Sequence, residues 1–107
     1  MPYCFYVEVV VQNCPLRRES LPAGRTIIGR SPTSCAVIVP DRRVSRVHLQ
    51  VAYYQDTGVK VLDLYSANGS LLEGRPLYPG QAMQWLRDQV VSIGATHLVL
   101  RYGELNS

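Results

Sequence analysis

Short apolar runs separated by turn-forming residues recur along the whole chain. The runs are rich in β-branched and aromatic residues and repeat about every 8 to 12 positions, with Gly, Pro, Asn or Asp between them, a spacing typical of β-sandwiches and barrels. The pattern predicts strands near residues 3–12, 25–29, 36–39, 47–54, 59–64, 70–72, 82–86, 89–93 and 97–102. No segment has the length and amphipathic spacing of a convincing helix, so the sequence predicts an all-β domain.

The predicted strand 47–54 shows the clearest alternation of apolar and polar residues. Its apolar set, which a period of two places toward the core, consists of Val47, Leu49, Val51 and Tyr53. His48 lies between two members of this set and is therefore expected to point the other way.

The length and the cysteine content narrow the class of protein. The 107 residues suit one domain, and no apolar run approaches the roughly 20 residues that a membrane-spanning helix needs. We expect a cytoplasmic protein, because the N-terminus lacks the features of a secretory signal. Cys4, Cys14 and Cys35 are odd in number and widely spaced, which favours buried free thiols over disulfides or a metal site, and no cofactor is predicted.

Positive charge is supplied almost entirely by arginine. The net charge is +3, and Lys60 is the only lysine. A guanidinium group matches the geometry of phosphate and carboxylate, whereas lysine offers a point charge. The charge itself is modest and no basic run is interleaved with aromatic residues, so neither nucleic acid nor a membrane is an expected partner.

Three short motifs fall where predicted strands give way to loops. They are Gly29-Arg30, Ser45-Arg46-Val47-His48 and Ser66-Ala67-Asn68-Gly69-Ser70. Together they supply guanidinium, hydroxyl and amide donors, with no paired carboxylate to act as a base. Donors on loops held by a rigid sheet favour the binding of an anion over catalysis, so we do not expect an enzyme.

The order and spacing of these motifs resemble the forkhead-associated (FHA) domain, a β-sandwich that binds phosphothreonine peptides. Further matching segments are Asp63-Leu64, Pro79-Gly80-Gln81, Val91-Ser92-Ile93-Gly94 and His97-Leu98-Val99-Leu100. The resemblance is strongest over residues 26–102 and implies that 1–107 is a single phosphopeptide-binding domain. It also implies an antiparallel β-sandwich of about ten or eleven strands with the binding loops at one end.

The resemblance carries binding roles to five residues. In the family pattern, Arg30 and Ser45 contact the phosphate, and Arg46 is a secondary ligand. Asn68 holds the backbone of the bound peptide. Ala67 stands where other members carry threonine or another small residue, so its contact must come from its backbone or methyl group.

The resemblance gives a supporting role to four neighbours of these ligands. His48 braces the serine-containing loop through hydrogen bonds, and the hydroxyl of Ser66 braces the following loop. Gly29 and Gly69 permit the backbone turns beside the ligands. The implied partner is a phosphothreonine-containing protein, the substrate of a Ser/Thr kinase in signalling or assembly, and the oligomeric state is open.

Other interpretations of the same residues are weaker but remain open. A nucleophile and base pair of Ser45 and His48 is disfavoured, because side chains three positions apart on an extended segment point to opposite faces. A structural or self-association β-sandwich that binds without phosphate is the main alternative. Arg42 and Arg43 are extra charges that either favour acidic residues near the phosphothreonine or are simply solvated.

Overall fold

The computed structural model describes residues 3–105, which form two β-sheets packed face to face. No helix occurs among these residues, and hence none that is long and apolar enough to cross a membrane. The strands are β1 (Tyr3–Val10), β2 (Arg17–Ser20), β3 (Gly24–Gly29), β4 (Val37–Ile38), β5 (Leu49–Tyr54), β6 (Gly58–Asp63), β7 (Leu71–Leu72), β8 (Arg75–Pro76), β9 (Met83–Gln84), β10 (Val90–Ile93) and β11 (Thr96–Glu104). The all-β sandwich predicted from the sequence is confirmed.

The strand order places the N- and C-terminal strands side by side in one sheet. That sheet has the order β2-β1-β11-β10-β7-β8, and the other has the order β4-β3-β5-β6-β9. All pairings between these strands are antiparallel except that of β3 with β4, in which Ile28 lies opposite Val37. The β1–β11 pair runs from Tyr3 opposite Glu104 to Val10 opposite His97 and is the longest pairing in its sheet.

The core lies between the sheets and is built from the inward positions of both. In β6, for example, Val59, Val61 and Asp63 are buried, while Lys60 between them is exposed. The largest fully buried apolar side chains are Trp85, Ile28, Leu49, Ile93, Leu98 and Leu100. Burial of apolar area of this kind is the main contribution to the stability of a small domain.

The region before β5 departs from the predicted strand pattern. β5 begins at Leu49, and residues 45–48 form a bend instead of continuing the strand. Val47 is therefore exposed and His48 is fully buried, the reverse of the expected arrangement. The short edge strands β2 and β8 were not predicted, because neither carries the apolar alternation that identifies a half-buried strand.

Two short glycine-containing segments before and after β7 differ in the strands that they connect. Glu73 and Gly74, with φ of 50° and 81°, form the tight turn of the β7–β8 hairpin. Asn68-Gly69 is not a hairpin turn, because β6 and β7 belong to different sheets and the loop 64–70 crosses from one sheet to the other. Gly69 still requires its positive φ of 80° within that loop.

The loops that carry the three motifs meet at one end of the sandwich. β3 ends opposite the start of β5, since Ile28 pairs with Leu49, and β6 ends there too, since Leu49 also pairs with Asp63. The β10–β11 turn reaches the same end, where the amide of Ala95 donates to the carboxylate of Asp41 over 2.8 Å.

Candidate functional site

Arg30 lies immediately after β3 and is held by the bend 45–48. Its backbone amide donates to the carbonyl of Ser45, and its Nε donates to the carbonyl of Val44, both over 3.0 Å. With Nε fixed in this way, the two terminal nitrogens of the exposed guanidinium remain as donors for a ligand.

Gly29 allows the close approach that positions Arg30. A Cβ at Gly29 would overlap the carbonyl oxygen of Arg46 and lie 2.9 Å from that of Ser45. The φ of Gly29 is not positive, so the requirement is for space between two backbones and not for an unusual conformation. Glycine is therefore the residue that lets β3 and the bend lie in contact.

The side chain and backbone of Ser45 have separate partners. Its hydroxyl oxygen accepts a hydrogen bond from the amide of Ala67, and its own amide donates to Nδ1 of His48, both over 2.9 Å. The hydroxyl proton remains as a donor for a ligand, whereas the amide does not, because His48 already takes it. The bend also brings Ser45 and His48 together, which the assumption of an extended segment had excluded.

His48 joins two loops from a fully buried position. Because Nδ1 accepts from the Ser45 amide, Nδ1 carries no proton, and Nε2 is the atom that donates to the carbonyl of Gly69 over 2.9 Å. The geometry therefore selects one neutral tautomer of the imidazole. Both ring nitrogens are occupied by the backbone, so the histidine fixes the relative position of the bend and the loop 64–70.

Asp63, the last residue of β6, organises the loop 64–70 from beneath. Its carboxylate accepts from the Ser66 amide over 2.9 Å and from the hydroxyls of Ser66 and Ser70, each over 2.5 Å. Burial by itself raises the pKa of Asp63, but the hydrogen bonds from Ser66 and Ser70 outweigh it and hold that pKa below its ordinary value. The Ser66 hydroxyl also accepts from the amide of Gly69 over 3.0 Å, which completes the turn.

Sequence reasoning did not assign Asp63 a part in the site. The available signal was its position, because Asp63 continues the inward-facing set of Val59 and Val61 in an apolar strand. A carboxylate at an inward position requires several hydrogen-bond donors, and the serines that follow within the next seven positions supply them.

The exposed tip of the loop 64–70 carries Ala67 and Asn68. One N–H of the Asn68 side chain donates to the carbonyl of Arg43 over 2.9 Å, which leaves its second N–H and its carbonyl oxygen for a ligand. Ala67 has its amide bound to Ser45, so its carbonyl and methyl group are the parts that face outward. The side chain of Arg46 is exposed beside them, while its carbonyl accepts from the amide of Ser31.

The nine residues to which the resemblance gives a role thus lie on three loops at one end of the sandwich or, in the case of Gly29, at the end of the strand that leads into one of them. Within residues 3–105, the ion pairs of arginine join only Arg17, Arg18 and Arg101 to Glu8, Glu19 and Asp88. Arg30, Arg42, Arg43 and Arg46 form no such pair in that range. Exposed guanidinium groups beside hydroxyl and amide donors are chemically suited to binding an anion.

The thiols differ from the expected buried set. Cys35 is buried, and its sulfur lies 3.0 Å from the carbonyl oxygen of Arg46, to which it donates. Burial raises the pKa of this thiol. Cys4 is half-buried and Cys14 is exposed on the β1–β2 loop, so the expectation of burial is wrong for Cys14.

Comparison with solved structures finds FHA domains. The FHA domain of the CT664 protein from Chlamydia trachomatis is 28% identical, with a TM-score of 0.82 over 91% of this chain and 95% of that one. The FhaA FHA domain in complex with the intracellular domain of Rv3910 is 26% identical, with a TM-score of 0.79 over 91% and 99%. A third structure, from work on phosphothreonine-dependent FHA domain interactions, is 27% identical, with a TM-score of 0.77 over 90% and 95%.

Comparison with curated protein sequences gives no match. A comparison with protein families matches residues 17–103 to the family described as the inner membrane component of T3SS, cytoplasmic domain. This match spans most of the sandwich from β2 to β11, and it agrees with the structural likeness. The chain is therefore an FHA domain that belongs to the family of T3SS inner membrane component cytoplasmic domains.

Proposed function

We propose that this chain is a phosphothreonine-dependent binding module without catalytic activity. The observation that carries the proposal is the convergence of unused donors from three loops, namely the terminal nitrogens of Arg30, the hydroxyl proton of Ser45 and the second amide N–H of Asn68. In each case another part of the same group is already hydrogen-bonded to the protein, as a donor in Arg30 and Asn68 and as an acceptor in Ser45, which fixes the group before a ligand arrives. Pre-organisation of this kind reduces the ordering cost of binding.

In this proposal Arg30 and Ser45 bind the phosphate. The guanidinium supplies charge-assisted hydrogen bonds through its terminal nitrogens, and the Ser45 hydroxyl donates one more. Arg46 adds a second positive charge from the bend. Charge-assisted bonds contribute about 1.5 to 3 kcal/mol each, so three or four of them support a complex of micromolar affinity, which needs about 8 kcal/mol net of ordering costs.

Asn68 and Ala67 bind the peptide beside the phosphothreonine. The Asn68 side chain offers one donor and one acceptor, the pair that a peptide backbone requires. Ala67 contributes its carbonyl and methyl group. Four further residues position the peptide-binding residues and do not touch the peptide themselves. They act through hydrogen bonds or close contacts within the protein and are Gly29, His48, Ser66 and Gly69.

The relatives support phosphorylated protein as the partner. One structure 27% identical to this chain comes from work on phosphothreonine-dependent FHA interactions, and another, 26% identical, holds an FHA domain in complex with an intracellular protein domain. By proposal, the partner of this chain is a protein phosphorylated on threonine by a Ser/Thr kinase, and the interaction serves signalling or the assembly of a larger complex.

Binding of peptide libraries tests the proposal. Immobilised degenerate libraries containing phosphothreonine, threonine or phosphoserine are incubated with the domain, and the best phosphothreonine peptide is then titrated by fluorescence anisotropy. We expect phosphothreonine to be selected over the other two and Arg30→Ala to weaken binding by at least about tenfold, the equivalent of one charge-assisted bond. Arg87→Ala, an exposed arginine outside the three loops, is the matched control.

Equal binding to the three libraries, or an unchanged affinity of Arg30→Ala, would contradict this function. The domain would then be assigned to phosphate-independent association, and its self-association would be measured by sedimentation.

We also propose a cytoplasmic location for the domain. The family description refers to a cytoplasmic domain, and Cys4, Cys14 and Cys35 are all free thiols, as is usual where the environment is reducing. A maleimide that does not cross membranes should label the exposed Cys14 only after cell lysis. Labelling of intact cells would place the domain outside the cytoplasm.

A further inference from the structure

Two neighbouring arginines stand beside the proposed site without a role in it. Arg42 and Arg43 lie on the loop between β4 and the bend, and both are exposed. Within the described part of the chain neither has a salt-bridge partner, in contrast to the arginines on the β1–β2–β11 surface. Both guanidinium groups are thus accessible to a ligand, although the charge of Arg43 also acts on the carboxylate of Asp41.

These arginines line a polar groove of about 460 Å³ at the binding end of the sandwich. Gln12 and Asn13 of the β1–β2 loop also line it, as does Asn68. A second groove of about 460 Å³ shares Arg43 and Asn68 with the first. A peptide held by Asn68 is therefore in reach of Arg42 and Arg43.

The loop that carries the two arginines is fixed by the protein. The carbonyl of Arg43 accepts from the Asn68 side chain, and the amide of Arg43 donates to the carboxylate of Asp41, both over 2.9 Å. Asn68 thus connects the proposed peptide-binding position directly to the backbone of Arg43. The backbone that carries the charges is thus hydrogen-bonded to the rest of the site, which favours specific recognition over a general attraction.

Asp41 is the one carboxylate among the residues that line the first groove. Its Oδ2 accepts from the Ala95 amide over 2.8 Å and from the Thr96 hydroxyl over 3.0 Å, in addition to the Arg43 amide on Oδ1. Burial by itself raises the pKa of Asp41, but the hydrogen bonds from the Arg43 and Ala95 backbone and from the Thr96 hydroxyl, together with the charge of Arg43, lower it overall, so the group is ionised. The groove is thus lined by two positive charges, those of Arg42 and Arg43, and by one negative charge, that of Asp41, which already accepts from three protein donors. Its net charge is positive.

We propose that this groove binds an anionic side chain of the same phosphopeptide, so that the domain prefers phosphothreonine followed or preceded at short distance by an acidic or second phosphorylated residue. The inference rests on the proposed function and adds the class of peptide. Arg42 and Arg43 are the specificity-determining residues. Both a carboxylate and a phosphate present the oxygens that a guanidinium group binds, and the test separates them.

The test measures how much an anionic residue increases affinity. A phosphothreonine peptide with neutral flanking residues is compared with a series in which one flanking position at a time is Asp or phosphoserine. We expect at least one position at which Asp increases affinity about three- to tenfold, because exposed ion pairs contribute up to about 1 kcal/mol each. Phosphoserine at that position should increase it further, since its charge is about −1.5 to −2. The increase should shrink as salt is raised from about 0.05 to 0.5 M.

The variant R42Q/R43Q identifies the residues responsible. Glutamine keeps a long polar side chain but removes the charge, so the ratio of affinities between anionic and neutral peptides should fall to about one. Arg87→Gln is the matched control and should keep the wild-type ratio. Thermal unfolding of each variant verifies that the fold is retained, as is expected for exposed side chains.

Each result decides between the two proposals. If the neutral phosphothreonine peptide binds but no anionic position increases affinity, the inference is wrong and the proposed function stands. If the increase persists in R42Q/R43Q, the assignment to this groove is wrong. If no phosphothreonine peptide binds at all, the proposed function fails and this inference fails with it. An increase with phosphoserine but not Asp would overturn carboxylate as a ligand and identify a second phosphate as the anion that the groove binds.

Discussion

The hydroxyl oxygen of Ser45 accepts a hydrogen bond of 2.9 Å from the backbone amide of Ala67. Two loops of the proposed site are therefore joined through the side chain of a residue that is itself proposed to bind the phosphate. The same hydroxyl has only one proton, and this contact leaves it for the phosphate. Ser45 therefore shapes the site and, in the proposed function, also binds the phosphate, and the two roles are separable by experiment.

Substitution Ser45→Ala should weaken phosphothreonine binding by at least about tenfold while lowering the free energy of unfolding by only about 1 kcal/mol. The affinity loss reflects a charge-assisted bond, and the smaller stability loss reflects the neutral bond to Ala67. Anisotropy titration and urea unfolding measure the two effects. Ser34→Ala, at an exposed position outside the three motifs, is the control. A stability loss with unchanged affinity would remove Ser45 from the list of phosphate ligands.

Substitution His48→Ala should lower the free energy of unfolding by about 2 to 4 kcal/mol, because it creates a cavity and leaves the Ser45 amide and the Gly69 carbonyl without their partner. Affinity should also fall, since the two loops lose their connection. Urea unfolding provides the measurement. The exposed His97 offers a control: His97→Ala should change stability by less than about 0.5 kcal/mol. Similar small effects at both positions would mean that the buried hydrogen bonds of His48 contribute little.

Gly29 and Gly103 are the two glycines without a positive φ, and Gly29→Ala should disturb the site far more than Gly103→Ala. The added Cβ overlaps the Arg46 carbonyl, so the bend must move away from β3. We expect a loss of about 1 to 3 kcal/mol in stability, as for other overpacking substitutions, together with weaker phosphopeptide binding. Gly103→Ala is the matched control, because nothing lies within 4 Å of a Cβ there. Equal thermal midpoints for the two variants would contradict the close approach.

Acid should destabilise the domain partly through Asp63. Because the pKa of Asp63 is lower in the folded protein than in the unfolded chain, the unfolded chain binds more protons at low pH. The stabilisation is fully present above the unfolded value of about 3.9 and is lost as the pH falls through the folded value below it. Asp41 and Glu8 shift in the same direction, so Asp63→Asn should reduce the dependence of unfolding free energy on pH without abolishing it. Asp56→Asn, in an exposed turn, is the control, and equal pH profiles for the two variants would contradict the assignment.

The sandwich could be predicted because its strands alternate or are continuously apolar. β6 and β11 show this most clearly, since their buried positions recur with a period of two. β2 could not be predicted from the same signal, because its sequence Arg-Arg-Glu-Ser has no apolar face and the strand is formed by pairing with β1. Local pattern identifies strands that contribute to the core but not edge strands that depend on a partner.

The positions of the motif residues were predictable from the family resemblance, whereas their bonding was not. Treating 47–54 as one strand placed His48 on the surface, because alternation was extended past the bend into which Gly29 packs. The part played by Asp63 was also missed, since it depends on donors from Ser66 and Ser70 that come together only when the loop crosses between sheets. Contacts between segments that are distant in sequence decide both features.

The antiparallel pairing of β1 and β11 determines where a label or a solid support can be coupled without covering the three loops. Tyr3 lies opposite Glu104 at one end of that pair, and Val10 lies opposite His97 at the other, near the turn that contacts Asp41. At about 3.3 Å per residue, the strand separates these ends by more than 20 Å. Tyr3 and Glu104 therefore lie on the far side of the sandwich from the three loops, so a dye or a solid support coupled at either residue leaves the loops open to solution.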